Sequence, residues 1–126
     1  MSQHIIITNN PLIKKHYENA IMVEKKTYLQ VLETARDYIH QGHRLLTHPL
    51  AGSVKPNQNP YRTVLISKDA KKLDFNSLSL IENAIKVANK MLDDKDTPKW
   101  SQSIQEDFQF VDKSLIDNAI RVWNKL

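Results

Sequence analysis

The chain contains no cysteine among its 126 residues, and this absence removes several kinds of chemistry at once. Without a thiol it cannot form a disulfide, supply a thiolate nucleophile, ligate an iron–sulfur cluster or bind zinc through sulfur. The phosphate-binding patterns G-x-x-x-x-G-K-[ST] and G-x-G-x-x-G do not occur in it either. Any redox chemistry must then come from a partner or a cofactor, and we expect neither a cofactor nor a metal in the protein itself.

Long apolar runs are also missing, since no segment approaches the ~18 consecutive apolar residues that a membrane span needs. The first residues lack the basic start and apolar stretch of a signal peptide, so we expect a cytoplasmic protein with no membrane contact. The net charge is +4, but the lysines are scattered among acids, which argues against a nucleic-acid partner. The length predicts a single α/β domain over residues 1–126.

Residues 1–72 have the pattern of βαβ units. Short apolar runs at 4–8, 20–24, 45–47 and 63–66 predict four strands. Between them, Asn10 with Pro11 predicts one helix start, and a capping box of Thr27 with Gln30 predicts another. The expected fold is a three-layer α/β domain with a mostly parallel sheet of about four strands flanked by helices. The connection before the last strand carries no evident helix, so that strand is either parallel through an irregular crossover or antiparallel at an edge.

Residues 73–126 read as C-terminal helices. Leu78, Ile81, Ile85, Ala88 and Leu92 share one face at helical spacing, and residues 100–111 predict a short further helix. Residues 79–91 (SLIENAIKVANKM) and 114–126 (SLIDNAIRVWNKL) are identical at nine of thirteen positions. This repeat indicates either two amphipathic helices on similar core surfaces or a duplication that places two helices in pseudo-symmetric positions.

The segment 44–67 is the most informative for function, because it holds three of the five prolines and one of the two glycines in a connection of about a dozen residues. In a parallel sheet, the ends of the first and third strands would flank a crevice. Asn9 and Asn10 would bring a helix start to that crevice, where its free N–H groups attract anions. Gly52, Ser53 and Lys55 would add a turn, a hydroxyl and a cation. An ordinary turn and helix cap at Asn9 and Asn10 explains the same residues without a ligand.

Three further side chains complete the candidate ligand-binding set. His48 is the candidate acid–base group, because imidazole titrates near neutral pH, although it also suits a hydrogen bond to the loop backbone. Tyr61 and Arg62 close the loop, where they would clamp an anion or a flat ligand, or else cover the core and form a salt bridge. The spacing of His40, His43 and His48 admits zinc, but a helix end also favours cationic histidines.

Three segments carry a resemblance to a known family: IIITNNPL, LLTHPLAGSVKPNQNPY and DFQFVDKSLIDNAI. Together they resemble the GrdX family, small proteins encoded with the glycine, sarcosine and betaine reductase systems of anaerobic bacteria. The resemblance implies a cytoplasmic accessory protein of amino-acid reductase metabolism and supplies no catalytic residues. Those reductases use selenol and thiol chemistry, which a chain without cysteine cannot perform.

The leading hypothesis is therefore a non-redox accessory module rather than an enzyme. It would bind a reductase component or a small anionic metabolite through Asn9, Asn10 and the loop 48–62. The alternative is a small enzyme acting on a carboxylate or phosphate metabolite, with His48 as acid–base and Lys55 as anion holder. The oligomeric state is left open by the sequence.

Overall fold

The computed structural model describes residues 4–24, 27–50, 55 and 57–125. Its elements follow the chain in the order β1 (His4–Thr8), α1 (Pro11–His16), β2 (Ile21–Met22), α2 (Tyr28–His40), β3 (Thr63–Ser67), α3 (Phe75–Asp94) and α4 (Gln102–Asn124). No helix within these described ranges is long and apolar enough to cross a lipid bilayer.

The sheet has three strands in the order β2-β1-β3. β1 pairs with β2 in parallel, whereas β1 and β3 are antiparallel, with Thr8 opposite Thr63 and His4 opposite Ser67. The expectation of a mostly parallel sheet of about four strands is therefore wrong. Of the two directions open for the last strand, the structure has the antiparallel one.

The predicted strand at 45–47 forms only an edge contact with β3. Leu45 makes a single antiparallel bridge to Ile66, and the N–H of Leu46 donates to the carbonyl of Leu65. The ladder stops there because the N–H of Leu65 donates to the side-chain oxygen of Thr47 instead of to a backbone carbonyl. Segment 45–47 runs in the same direction as β1, but β3 lies between them.

Local sequence signals place the first two helices as expected. The side chain of Asn10 caps α1 and Pro11 opens it, and Thr27 and Gln30 form the reciprocal capping box of α2. Gly42 follows α2 with a φ of +107°, and a Cβ there would lie 1.9 Å from the carbonyl oxygen of Lys71. Both the positive φ and this contact require glycine.

The sheet is covered on both faces. Ile7, Val64 and Ile66 point to one side, where they pack in a core with α2 and α3. Ile6 and Leu65 point to the other side, where the core is completed by α1 and α4. Alternation along the strands thus produces three layers, with β1 as the central strand.

The C-terminal region contains two long helices. The prediction of α3 is confirmed, but the predicted short helix at 100–111 is wrong, because α4 continues without interruption to Asn124. Ser101 caps this helix, and neither glycine nor proline occurs between Gln102 and Asn124 to stop it.

The sequence repeat coincides with these two helices on opposite faces of the sheet. Ile81 of α3 and its counterpart Ile116 of α4 belong to different cores. The repeated acidic position bonds to a different kind of side chain in each helix, since Glu82 pairs with Arg36 of α2 at 3.2 Å and Asp117 accepts from Tyr17, which ends α1. The repeat therefore corresponds to two helices that pack on opposite sides of the sheet.

Candidate functional site

Asn9 fixes the end of the proline-rich connection against β1. Its side chain is fully buried, its amide group donates to the carbonyl of Pro60 at 2.8 Å, and its oxygen accepts from the N–H of Arg62 at 2.8 Å. The side-chain amide thus continues the backbone pairing of β1 and β3 beyond Thr8, and it orients residues 60–62.

Asn10 joins three elements. Its side-chain oxygen accepts from the N–H of Leu12, and its backbone carbonyl accepts from the N–H groups of Ile13 and Lys14. Its amide group donates to α4, at the carbonyl of Gln109 (2.9 Å) and a carboxylate oxygen of Asp112 (3.0 Å). Because Pro11 has no N–H, the first four residues of α1 have no N–H left for an anion.

A buried ion pair lies beside Asn10. Asp112 is 1% exposed, and one of its oxygens accepts from the hydroxyl of Thr63 at 2.6 Å as well as from Asn10. Its other oxygen is 3.9 Å from Nη2 of Arg62, which is 6% exposed. Hydrogen bonds from several donors stabilise a carboxylate that burial alone would disfavour.

Aromatic side chains complete this network. The guanidinium carbon of Arg62 is 5.7 Å from the ring centroid of Tyr28, and Nη1 of Arg62 donates to the hydroxyl of Tyr28 at 3.3 Å. The hydroxyl of Tyr61 accepts from the side chain of Gln109 on α4 at 2.9 Å. We call the set at this end of the sheet the polar network; it consists of Thr8, Asn9, Asn10, Tyr28, Tyr61, Arg62, Thr63, Gln109 and Asp112.

Sequence reasoning missed Asp112, the centre of the network. A signal for it exists, because Asp112 precedes the buried residues Ile116 and Ile120 at intervals of four and therefore shares their face of α4. An acidic residue on the buried face of a helix needs a partner inside the protein.

The remaining predicted site residues either lie away from the polar network or are outside the described residues. His48 and Lys55 are exposed, and Nδ1 of His48 accepts from the N–H of Leu50 at 3.1 Å. Gly52 and Ser53 lie outside the described residues. Since β3 separates segment 45–47 from β1, the ends of these two segments are roughly 10 Å apart, twice the strand spacing, and do not flank a common crevice.

An open cavity of about 450 Å³ lies at the opposite end of the sheet. It is bounded by the start of β1, the turn between α1 and β2, and the residue that follows β3. Its apolar wall and polar rim are formed by His4, Ile5, Ile6, Tyr17, Glu18, Asn19, Ala20 and Lys68. A cavity of this volume is within the size range of small-molecule sites.

The turn that lines this cavity is held in place by Lys14. Its ammonium group donates to the carbonyls of Glu18 and Ala20, and the N–H of Ala20 donates to the carbonyl of Tyr17. These bonds fix the backbone of the turn without using the side chains of Glu18 and Asn19. The cavity wall is therefore organised before any ligand arrives.

Two residues that line the cavity, Tyr17 and His4, have shifted pKa values, and so does Asp117, the hydrogen-bond partner of Tyr17. Burial and a 2.5 Å hydrogen bond to Asp117 raise the pKa of Tyr17 to about 12. Burial raises the pKa of Asp117, but hydrogen bonds from Lys113 and Tyr17 outweigh it, and the pKa of Asp117 is below its ordinary value. Burial lowers the pKa of His4. At neutral pH, the phenol of Tyr17 and the imidazole of His4 are therefore uncharged.

The histidines near the end of α2 have structural contacts. Nδ1 of His43 is 2.7 Å from the carbonyl of Ser67, and its ring meets Tyr38 edge-on. Within the described part of the chain, no three His, Asp or Glu side chains are grouped so that they could hold a metal ion.

Comparison with known proteins places the chain in a family. No match was found among curated proteins or among solved structures. Residues 5–121 match the sequence profile described as GrdX-like protein, which covers nearly the whole chain. Such a match suggests an association with glycine reductase systems. The chain belongs to the GrdX-like protein family.

Proposed function

We propose that this protein is a non-redox accessory component of a glycine, sarcosine or betaine reductase system, and that it binds a small amino-acid metabolite. Family membership supports the association. The absence of cysteine supports a role outside the thiol chemistry of the reductases. The observation that carries the proposal is the cavity at the start of β1, which has an apolar wall and charges of both signs on its rim.

The rim matches a ligand that carries both a carboxylate and an ammonium group. Lys68 offers a cation to the carboxylate, and Glu18 offers an anion to the ammonium. Ile5, Ile6 and Ala20 supply apolar surface for carbon atoms between or beside the charges. Because Lys68 and Glu18 are exposed, a ligand that pairs with only one of them gains little, and binding requires both charges.

The protonation states in the cavity suit a neutral lining for a ligand. Tyr17 has a pKa of about 12 and donates a hydrogen bond to Asp117, so near pH 7 it is not a base towards a ligand. The lowered pKa of His4 keeps its imidazole neutral at the same pH. Neither side chain adds a charge to those of Lys68 and Glu18 on the rim.

The cavity is a better ligand site than the carboxyl end of β1. There, the amides of Asn9 and Asn10 already bond to protein carbonyls and to Asp112. A ligand would have to break these bonds, and each buried polar group left unpaired costs about 1–3 kcal/mol. A ligand that binds to Lys68 and Glu18 leaves no buried polar group unpaired, because both side chains are exposed.

A thermal-shift series tests the proposal. Glycine, sarcosine, betaine, acetyl phosphate, phosphate and a nucleotide are compared, and an amino acid or its N-methylated form should raise Tm with concentration. Lys68→Ala and Glu18→Gln should each abolish that shift, whereas Lys72→Ala, an exposed lysine outside the cavity lining, should preserve it. No shift with any compound, or a shift that survives both substitutions, contradicts the proposed site.

A protein component of the reductase is the other partner class. Co-purification with the reductase proteins, combined with no Tm shift by any metabolite, would favour it over the cavity ligand. The two outcomes are independent, because a metabolite bound in the cavity is detected with the isolated protein.

An enzymatic role remains the alternative through His48. Its Nδ1 accepts the Leu50 N–H, so the neutral ring carries its proton on Nε2, and the side chain is exposed. His48→Ala should leave the metabolite-induced Tm shift intact if the protein only binds. If the protein turns over a carboxylate or phosphate metabolite, His48→Ala should lower kcat while the affinity persists.

A further inference from the structure

The outward side of α4 carries an apolar stripe, defined as Ile104, Phe108, Val111, Leu115 and Val122. Four of its members are exposed, at 38%, 42%, 38% and 54% for Ile104, Val111, Leu115 and Val122. The fifth, Phe108, is partly buried against Trp100. Single exposed apolar residues are ordinary, but a continuous row of them marks an interaction surface.

The spacing of the stripe is that of a coiled-coil contact. The intervals run 4, 3 and 4 from Ile104 to Leu115, and Asn118 and Val122 continue the same pattern. At about 100° per residue the stripe stays within one narrow sector of the helix over about 27 Å. The buried residues Ile116 and Ile120 point about 120° and about 160° away from it, so the stripe is separate from the face that packs on the sheet.

Helix α3, which carries the other copy of the sequence repeat, has no matching exposed apolar stripe among its described residues. Leu80 and Val87 are the repeat counterparts of Leu115 and Val122, and they are partly buried rather than exposed. The counterpart of Val111 is Asn76, so the apolar row is interrupted in α3. Of the two helices, only α4 has four apolar residues in succession along this row, from Ile104 to Leu115, and three of them are exposed.

We propose that the stripe is the interface with a second copy of this chain, in which the two α4 helices pair antiparallel about a two-fold axis. In this register Val111 meets Leu115 of the second copy at the centre, and Ile104 meets Val122 of the second copy at each end. The flanking charges are complementary, because Asp107 of one copy faces Arg121 of the other, twice by symmetry. Ser114 lies at the two-fold axis, where a small side chain is needed for close approach.

Asn118 lies in the apolar row opposite Phe108 of the second copy. A polar residue at such a position lowers the stability of the pair and disfavours shifted registers that would bury it more deeply. A pair of helices of this length buries less surface than a large obligate interface, so the dimer should dissociate on dilution.

The oligomeric state of the full chain in solution tests the interface. Sedimentation equilibrium over a concentration series should show a monomer–dimer equilibrium, and Leu115→Glu should shift the dissociation constant by at least tenfold towards monomer. Phe110→Glu is the matched control, because Phe110 is 66% exposed on the same helix but points about 120° away from the stripe. A monomer at all concentrations, or equal effects of both variants, overturns the proposal.

A charge exchange tests the register. Asp107→Arg and Arg121→Asp should each weaken dimerisation, because like charges then face each other, and the double variant should restore it. The absence of restoration rules out this pairing of charges.

Because the chain has no cysteine, a single introduced cysteine can be labelled selectively with a spin label. Spin labels on Ser114→Cys should be close in the dimer, since the helices are separated by about 8–10 Å. Labels on Ser103→Cys should be separated by roughly 33 Å along the axis, twice the eleven-residue rise. A short distance for both sites indicates parallel helices and contradicts the proposed arrangement.

Discussion

At the carboxyl end of β1 polar side chains bond to one another beneath α4, whereas at its amino end polar side chains line an open cavity. Both ends contain charged groups of opposite sign. At the first end Arg62 and Asp112 are 6% and 1% exposed, and at the second end Lys68 and Glu18 are exposed. The difference teaches that charge alone does not identify a binding site, since the buried charges serve the fold and the exposed ones are available to a ligand.

The largest effect is expected from Asp112→Ala. It leaves Arg62 buried without its carboxylate and removes the acceptor of Asn10 and Thr63, so stability should fall by about 3–5 kcal/mol. Urea unfolding measures the change, and Glu106→Ala on the exposed side of α4 should stay within about 0.5 kcal/mol. A loss below about 1 kcal/mol would show that the network does not hold α4 to the sheet.

A smaller loss is expected from Asn9→Ala, which breaks the two bonds that fix residues 60–62. Two buried backbone groups, the carbonyl of Pro60 and the N–H of Arg62, lose their partner, and stability should fall by about 2 kcal/mol. Asn89→Ala, at an exposed position of α3, is the control and should not destabilise. If metabolite binding also disappears in Asn9→Ala while the protein is folded, the two ends are not independent.

Tyr17→Phe should lower stability by about 1 kcal/mol near neutral pH, because the bond to Asp117 is lost. The raised pKa of Tyr17 means that its contribution is present below pH 10 and is lost as the pH rises towards about 12. The lowered pKa of Asp117 means that its contribution is present above pH 3.8 and is lost as the pH falls further. The stability difference between wild type and Tyr17→Phe should therefore shrink in both directions, as urea titrations at several pH values would show. A constant difference would mean that the pair does not titrate together.

The smallest effect on stability is expected from Lys68→Ala, within about 0.5 kcal/mol, because the side chain is exposed at the rim of the cavity. The same variant should lose the metabolite-induced rise in Tm. This combination of unchanged stability and lost binding, the reverse of that expected for Asp112→Ala, sharpens the contrast between the two ends. A large fall in stability would assign Lys68 to the structure instead.

Local features of the fold were predictable from the sequence. The run of isoleucines in β1, the cap at Asn10, the capping box at Thr27 and the glycine after α2 each act within a few residues, and each occurs where expected. The direction of β3 was not predictable, because its connection carries no helix pattern and pairing depends on distant contacts. Segment 45–47 has a strand-like composition, but its ladder is stopped by the side chain of Thr47.

The candidate site was predictable only in part. Asn9, Asn10, Tyr61 and Arg62 lie together as the sequence suggested, but Asp112, more than a hundred residues away in the chain from Asn10, occupies the position expected for a ligand. His48 follows a segment that pairs with the outer edge of β3, so β3 lies between His48 and β1. The predicted parallel sheet had placed the segment before His48 directly beside β1. The cavity itself depends on the turn held by Lys14, whose bonds to carbonyls have no sequence motif.

The central position of β1 has a consequence for how the protein is made. The antiparallel neighbour of β1 follows it 55 residues later in the chain, as the pairing of Thr8 with Thr63 shows. During translation the isoleucines of β1 stay without their β3 neighbour, either exposed or covered by chaperones, until β3 leaves the ribosome. The formation of this long-range pair is expected to limit the folding rate, because the chain must close a large loop before the sheet gains most of its hydrogen bonds.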